Sequence, residues 1–456
     1  MILEQFASYV ADEARRDLSP ETKHAAKRVL IDWFSALFPG TRVSPATNLV
    51  RAHAAELGTG TSSLPGFATT AHAALAAWIN GSASHAVEFD DIFRDAVYHP
   101  GCPVIAAALA LAEQQNATGE ALLKAITAGY EVSTRIGAAI QPAHYRYFHT
   151  TGTAGSFGSA AASAALMDAG SAPVALHALA TSATFASGLQ QAFRSDAMTK
   201  ALHAGHAAWV GVMSAQGAAA GVTGVADMLE GDAGFGAAMC GSPDWSGVTD
   251  GLGERYNIER ITQKNHGCCG HTFAAIDAAL AIVDEHKVTP RDIRSITVRT
   301  YRAALDVAGI REPRSAFEAK FSLYYVLAHA VLYGAVRLNA FSAARLEDRA
   351  LRELMTKVHV EADAELTEKF PRMRAARVEI ALEDGTKLQH FAPYRRGDPE
   401  APLTDAELEG KFIELSEPVI GSRAAKDLLA ALWRIDSSTP RELGLARLSA
   451  AQAAAA

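Results

Sequence analysis

The segment Ile293-Arg-Ser-Ile-Thr-Val-Arg-Thr-Tyr301 marks the point at which the chain changes its pattern of apolar residues. Its polar and apolar side chains alternate, which is typical of a strand with one buried face. Similar alternation returns over residues 358–360 and 377–382, and Asp384-Gly385 then supplies a hairpin turn into residues 387–391. Helical spacing separates the strands, over residues 317–333 and 346–357. This part of the chain is therefore predicted to be an α+β unit with an antiparallel sheet.

The sequence on either side of this unit has a helical pattern. From Pro20 to about Ile282 apolar residues recur at helical spacing, and a capping box at Thr404–Glu407 begins a further helical stretch. We therefore predict a mainly α protein of two domains. Residues 1–265 and 400–456 would form a large all-helical domain, and residues 266–399 a smaller α+β domain inserted into it.

Composition restricts the class of protein. A chain of 456 residues, of which 49% are hydrophobic, is long enough to build two cores. A net charge of -8 argues against binding to nucleic acid, which requires a basic surface. The N-terminal residues lack the pattern of a secretory signal, and no apolar run is long enough to span a membrane. Four cysteines, two of them adjacent, do not suggest a disulfide framework, so we expect a cytoplasmic protein.

Polar clusters interrupt the helical sequence, and the first lies at residues 80–91, Asn-Gly-Ser-Ala-Ser-His-Ala-Val-Glu-Phe-Asp-Asp. His85, Glu88 and Asp91 recur at a spacing of three. This spacing predicts neighbouring positions on one helical face, with Asp90 turned away from it. A carboxylate on that face could orient a histidine or bind a substrate hydroxyl, whereas the alternative is a solvated helix end.

Two further histidines stand at the entries of predicted helices. His99 directly precedes Pro100, which favours an extended conformation at a helix start. His149 precedes the glycine-rich run Gly152-Thr-Ala-Gly-Ser-Phe-Gly158. No strand comes before this run, so it does not match a dinucleotide-binding fingerprint. A histidine in either place can act as a general base or bind an anion, or it can be structural.

Lys200 lies on the same predicted helix as His203 and His206. A lysine among apolar neighbours can act as a base if its pKa is lowered, or it can stay charged and bind a carboxylate. The alternative, a plain surface lysine, is disfavoured by the flanking Met198 and Leu202.

A metal site is one interpretation of residues 264–271, Lys-Asn-His-Gly-Cys-Cys-Gly-His. A metal hydrolase could use His266, Cys268, Cys269 and His271 as ligands. Adjacent cysteines seldom bind one tetrahedral ion together, and no second ligand pair lies nearby. We therefore predict that no metal is bound and that Lys264 binds a carboxylate.

Taken in order, these clusters resemble the MmgE/PrpD family, whose members include 2-methylcitrate dehydratase, cis-aconitate decarboxylase and iminodisuccinate epimerase. The matching segments extend over nearly the whole chain, at residues 80–91, 99–101, 152–158, 198–205, 274–279, 319–326 and 397–400. The resemblance implies a large helical domain built from both chain ends, with a smaller α+β domain inserted. It also implies a homodimer that needs no organic cofactor.

By this resemblance, six residues fall at active-site positions: Asp90, His99, His149, Lys200, Lys264 and Tyr325. Four others are predicted to bind substrate beside them: Asp91, Tyr145, His203 and His266. The sequence departs from the family at Thr150, where Pro is common. It departs again at Asn265-His266-Gly267, where many members have Lys-Pro-Tyr-Pro before the cysteine. The second departure lies beside a predicted substrate anchor, so it bears on the choice of substrate.

The chemistry implied by the resemblance makes or consumes a carbanion next to a carboxylate. Lys200, Lys264 and His149 are assigned to binding a polycarboxylate and stabilising an enolate-like state. His99 would be the main proton-transfer group, Tyr325 a second acid, and Asp90 would orient His99 or a substrate hydroxyl. The sequence leaves open which group is the base.

Three reactions share these requirements. We predict a lyase similar to 2-methylcitrate dehydratase, acting on a small di- or tricarboxylate. The alternatives are a decarboxylase of the cis-aconitate type and an epimerase of the iminodisuccinate type. An epimerase would need proton-transfer groups on opposite faces, such as His99 with Lys200 or Tyr145. A helical scaffold without activity is a further alternative, and it predicts no loss of turnover in His99→Gln.

Overall fold

The computed structural model describes residues 1–167, 170–193 and 197–449, and the chain divides into two compact units. The first unit is Met1–Gln263 together with the chain from Thr404 onward, and the second is Lys264–Leu403. Domain boundaries after residues 265 and 399, as derived from the sequence, fall close to these positions. The mainly α class is confirmed, with strands concentrated in the second unit.

The N-terminal part of the first unit is built from helices. They are Ile2–Glu13 (α1), Pro20–Gly40 (α2), Ala46–Ala52 (α3), Ala73–Ala86 (α4), Gly101–Gln115 (α5), Gly119–Ala139 (α6), Thr150–Leu166 (α7), Ala172–Phe185 (α8), Thr199–Ala219 (α9) and Phe235–Met239 (α10). Local signals set several of their ends. The Ser19 hydroxyl accepts a hydrogen bond from the Thr22 N–H (3.0 Å), and Pro20 occupies the first turn of α2.

Helix α7 lies at the centre of this unit. Every residue from Thr150 to Ala165 is buried, and α7 packs against α5, α6, α8 and α9. A helix that is buried all round needs small side chains so that neighbouring backbones can approach. Its sequence supplies them, because Ala, Gly and Ser make up most of Gly152–Ala165.

The first unit also contains a short hairpin that the all-helical prediction missed. Ser62–Leu64 (β1) pairs antiparallel with Thr69–Ala71 (β2). Glu113 of α5 fixes this hairpin, because its carboxylate accepts hydrogen bonds from the Ser63 N–H (2.6 Å) and hydroxyl (2.5 Å). Strands of three residues are too short to give an alternating pattern, so the sequence carries no strand signal here.

The second unit combines a sheet with helices. Its helices are Phe273–His286 (α11), Arg302–Ala308 (α12), Ala316–Lys320 (α13), Leu323–Tyr333 (α14), Ala343–Leu346 (α15), Arg349–Met355 (α16) and Ala364–Lys369 (α17). Its strands are Ile293–Thr300 (β3), Val358–Ala362 (β4), Ala376–Leu382 (β5) and Lys387–Ala392 (β6). The strand order is β4-β3-β5-β6, and α11 packs against β5 and β6.

Two predictions for this unit were wrong in detail. The sheet is mixed and not purely antiparallel, because β3 and β4 run parallel. A parallel pair needs a long connection, and α12 to α16 provide it. The single helix predicted over residues 317–333 is two helices, since the Ser322 hydroxyl accepts from the Tyr325 N–H (3.1 Å) and caps a new start for α14.

The chain ends in the first unit with Asp405–Ile420 (α18) and Ser422–Leu432 (α19). The predicted capping box is present, because the Glu407 carboxylate accepts from the Thr404 N–H (2.7 Å) while the Thr404 hydroxyl accepts from the Glu407 N–H (3.3 Å). Helix α18 packs on α2. There the Lys411 ammonium donates to the buried Asp32 carboxylate (2.6 Å) and to the Phe89 carbonyl (3.0 Å).

None of the helices in the described ranges combines the length and the apolar character that crossing a membrane would require.

Candidate active site

Two helices that cross at glycines bring the candidate residues of the first unit together. A Cβ atom on Gly81 of α4 would lie 2.9 Å from the Cα of Gly205 of α9, so both positions have room only for hydrogen. His85 lies in the last turn of α4, whereas Lys200 and His203 lie near the start of α9. The close crossing therefore sets the separation between these side chains.

Asp90 is the centre of the cluster. Its carboxylate is buried, and Oδ2 lies 2.7 Å from His85 Nδ1 and 3.0 Å from His99 Nδ1. The Cys102 thiol donates to the same oxygen at 3.1 Å. A carboxylate accepts and cannot donate, so the hydrogen bond with His85 fixes the proton of that ring on Nδ1. His85 Nε2 is buried without a hydrogen-bond partner in the described part of the chain, which leaves this nitrogen available to a ligand.

The prediction that His85, Glu88 and Asp91 share one helical face was wrong. Helix α4 ends at Ala86, and Glu88 adopts a left-handed conformation with φ 61°. This reversal turns the chain so that Asp90, which was predicted to point away, faces His85 directly. Asp90 also lies beside His99, and the orienting role predicted for it stays a prediction.

Four imidazole rings form a row through the cluster. The His85 ring lies 5.0 Å from that of His99 and stacks on that of His149 at 5.4 Å, between ring centroids. Beyond it, His149 Nδ1 lies 3.1 Å from His203 Nδ1. Burial lowers the pKa of His149 well below its usual value, and that of His203 to about 4. Both rings are therefore neutral near pH 7, so His149 can donate a hydrogen bond to a carboxylate but brings no charge to it.

Lys200 forms an ion pair with Glu88. Their side chains are 20% and 18% exposed, which makes this pair more accessible than the Asp90 carboxylate at 2%. Lys200 also contributes to the lowered pKa of both His149 and His203, which places its charge near those rings.

Asp91 supports the turn that carries His99. Its carboxylate accepts hydrogen bonds from the Tyr130 hydroxyl (2.7 Å) and from the Gly101 N–H (3.0 Å). Burial, with a smaller contribution from Asp32, raises the pKa of Asp91 to about 7. Both carboxylate oxygens contact protein groups, and the substrate-binding role predicted for Asp91 stays a prediction.

Two other residues lie close in sequence to members of this cluster. The predicted substrate-binding residue Tyr145 is partly buried in the short turn His144–Arg146, just before His149. His206 lies one turn after His203 on α9, and its Nδ1 is 3.3 Å from the Ser187 hydroxyl.

Lys264, His266 and Tyr325 belong to the second unit. Lys264 is buried, and His266 Nε2 lies 2.8 Å from the Asp277 carboxylate. The Tyr325 hydroxyl donates to the Ala340 carbonyl at 2.5 Å, and burial raises its pKa to about 12. The roles predicted for these three residues stay predictions.

The histidines and cysteines of residues 266–271, in the second unit, are not arranged as the ligands of one metal ion. The Cys268 thiol contacts the Thr272 hydroxyl (3.2 Å), His271 Nδ1 contacts the Tyr301 hydroxyl (2.8 Å), and His266 is bound to Asp277. Within the described ranges, the group whose ligand atoms all lie within 4.8 Å of one another is His85, Asp90 and His99.

We expect purified protein to contain less than about 0.1 equivalent of transition metal, and incubation with EDTA to leave its melting temperature unchanged. Ligands at about 2.1 Å from a tetrahedral ion lie roughly 3.4 Å apart. The Nδ1–Oδ2 separations at Asp90, 2.7 Å to His85 and 3.0 Å to His99, are both shorter than that, and the first is a hydrogen bond. Elemental analysis checks this; a stoichiometric ion that is lost in His85→Ala would show that the cluster is a metal site.

Two residues in the site were not among the predicted catalytic and binding residues. His85 and Glu88 both lie in the segment quoted as the first polar cluster, so their types were visible in the sequence. The residues that they contact could not be predicted from the sequence. The left-handed conformation falls on Glu88, whereas glycine is the residue that usually signals such a conformation.

Comparison with known proteins adds the family and two relatives. The sequence models of the MmgE/PrpD N-terminal and C-terminal domains match residues 4–247 and 266–435. Cis-aconitate decarboxylase-like protein oryM of Aspergillus oryzae is 26% identical over 460 residues, which cover 95% of this chain and 94% of that protein. Cis-aconitate decarboxylase of Mus musculus is 25% identical over 170 residues, covering 36% of this chain and 34% of that protein.

Proposed function

Because this chain belongs to the MmgE/PrpD family, we propose that it is a cofactor-independent lyase acting on a small di- or tricarboxylate, similar to 2-methylcitrate dehydratase. It would remove a proton from the carbon next to a carboxylate. The observation that carries the proposal is the buried Asp90 carboxylate between His85 Nδ1 and His99 Nδ1. Such an arrangement holds an imidazole in one orientation and stabilises it once it has accepted a proton.

In the proposed reaction, His99 takes the proton. Its side chain is 16% exposed, so the ring can reach a bound substrate, while the Asp90 side chain is 2% exposed. Since Nδ1 lies beside the Asp90 carboxylate, we assign Nε2 as the atom that takes the proton. The imidazolium formed in this way is stabilised by the carboxylate at 3.0 Å. Lys200 would bind the adjacent substrate carboxylate and stabilise the negative charge that develops.

The His149–His203 pair would carry the second proton. Two imidazole nitrogens 3.1 Å apart form a hydrogen bond only if one of them holds a proton. When His149 donates through Nδ1, its Nε2 accepts; when the proton lies on His203, His149 Nε2 donates. When His149 Nε2 gives its proton to a leaving hydroxyl, the His203 Nδ1 proton would pass to His149 Nδ1 and His203 Nε2 would take up a proton from solvent, so both rings stay neutral. Water then departs while the C–H electron pair becomes the new C=C bond.

Decarboxylation is the second candidate, and the names of the two relatives favour it. In that reaction the bond to a carboxylate breaks, CO₂ leaves, and the electron pair left on carbon takes a proton from His99 or His149. The same groups serve both reactions, because each passes through a carbanion next to a carboxylate. The homodimer and the cytoplasmic location stay predictions.

We expect proton NMR in D₂O to show turnover of at least one of four acids offered separately: citrate, 2-methylcitrate, cis-aconitate and iminodisuccinate. New alkene signals with all carbons retained would indicate dehydration, and loss of one carbon would indicate decarboxylation. Deuterium entering the α-position without elimination would indicate epimerisation, which would replace the lyase proposal. Four unchanged spectra would contradict carbanion chemistry on these acids.

A further inference from the structure

The Lys200–Glu88 ion pair occupies the place where the proposed reaction needs a cation for the substrate. A substrate carboxylate that approaches Lys200 meets a carboxylate that is already bound to it. With side chains 20% and 18% exposed, the pair lies on the accessible side of the cluster and not in its core. Glu88 therefore competes with any ligand for Lys200.

The two residues that follow Glu88 are held in place by contacts with other parts of the chain. Phe89 is fully buried, and its carbonyl accepts a hydrogen bond from Lys411 at 3.0 Å. Asp90, the next residue, is held by His85 at 2.7 Å. Glu88 itself is in the left-handed conformation, which non-glycine residues seldom adopt, and such conformations persist where the surroundings fix them. Rotation of the side chain alone would release Lys200.

The charge of the cluster explains why a counter-ion is present. Burial lowers the pKa of His149 and His203, so these neighbours of Lys200 are neutral near pH 7. A partly buried ammonium without a partner would be costly, and the Glu88 carboxylate balances its charge. A substrate carboxylate that replaces Glu88 restores the same ion pair, so the exchange conserves the local charge balance.

We propose that Glu88 is a resident counter-ion of Lys200 that a substrate carboxylate displaces, and that it selects polycarboxylates over monocarboxylates. This rests on the proposed function, which assigns Lys200 to a substrate carboxylate. Glu88 is part of the same chain, so its effective concentration at Lys200 is high, on the order of millimolar or more. A monocarboxylate has only that one contact with which to compete, whereas a di- or tricarboxylate gains further contacts from its other carboxylates.

The test is calorimetric binding of two unreactive probes, tricarballylate and propionate, to the wild-type chain and to Glu88→Gln. Tricarballylate has three carboxylates but neither a hydroxyl group nor a double bond. We expect Glu88→Gln to bind it about tenfold more tightly, because the competing charge is gone. Propionate binding should become measurable in the same variant. Glu254→Gln, at an exposed position, changes the net charge equally and should leave both affinities unchanged.

Binding by Glu88→Gln that is unchanged, weaker or absent overturns the proposal, as does an equal gain in Glu254→Gln. Since neither probe reacts, the result is separate from turnover. If no acid reacts in D₂O but the gain appears, the counter-ion role stands and the reaction fails. If an acid reacts and the gain is missing, only the counter-ion role fails.

Discussion

We expect His99→Gln to lower the rate of proton exchange or elimination by about 10³-fold, within the range for loss of a general base. Glutamine preserves a polar side chain of similar size but cannot take up a proton near neutral pH. The contact with Asp90, 3.0 Å in the native chain, can be kept by the amide, so the turn before α5 should stay in place. The measurement is deuterium incorporation into whichever acid proves reactive, alongside circular dichroism of the variant.

The matched control is His286→Gln, which makes the same change at an exposed position at the end of α11. It should retain the wild-type rate. Asp90→Asn should lose activity as well, because an amide neither stabilises an imidazolium nor fixes the ring proton as a carboxylate does. If His99→Gln kept more than about a tenth of the wild-type rate, His99 would not be the base, and the His149–His203 pair would become the candidate.

The sequence located the polar clusters of the site but not the contacts that join them. The spacing of His85, Glu88 and Asp91 fits a helix, and nothing local contradicts that pattern. The loop that follows the helix has a long-range contact: Lys411, from the far end of the chain, donates a hydrogen bond to the Phe89 carbonyl. A contact with a side chain more than 300 residues away cannot be inferred from local spacing. The loop conformation that brings Asp90 to His85 could therefore not be predicted.

The fold was predictable where its signals are local. The helix start at Ser19 follows a capping pattern that spans only a few residues, and the capping box predicted at Thr404 is present. Pairing of strands is not local in this sense. The parallel neighbour of β3 follows five intervening helices, and the short hairpin β1–β2 depends on Glu113 of α5. Both features are fixed by partners distant in sequence, and both departed from the prediction.

Gly205→Ala should destabilise the first unit by about 3 kcal/mol or more, at the upper end of the range for overpacking. A methyl group on Gly205 would overlap the Ser82 hydroxyl and the Trp78 carbonyl oxygen of α4. The carbonyl belongs to the backbone, so rotation of a side chain cannot relieve the overlap and the two helices must separate. The measurement is the denaturant midpoint of unfolding, followed by circular dichroism.

Gly410→Ala is the matched control, because Gly410 lies within α18 and a Cβ atom there meets nothing within 4 Å. Alanine favours a helix over glycine, so this variant should be about 0.5–1 kcal/mol more stable than the wild-type chain. If glycine to alanine lowers the free energy of unfolding at Gly205 and raises it at Gly410, then packing at the α4–α9 crossing, and not helix propensity, decides the effect at Gly205. Equal effects would mean that the crossing can widen at little cost. In that case the positions of His85 and Lys200 would not be set by the two glycines, and the separation of the side chains would have to be fixed by the Asp90 and Glu88 contacts themselves.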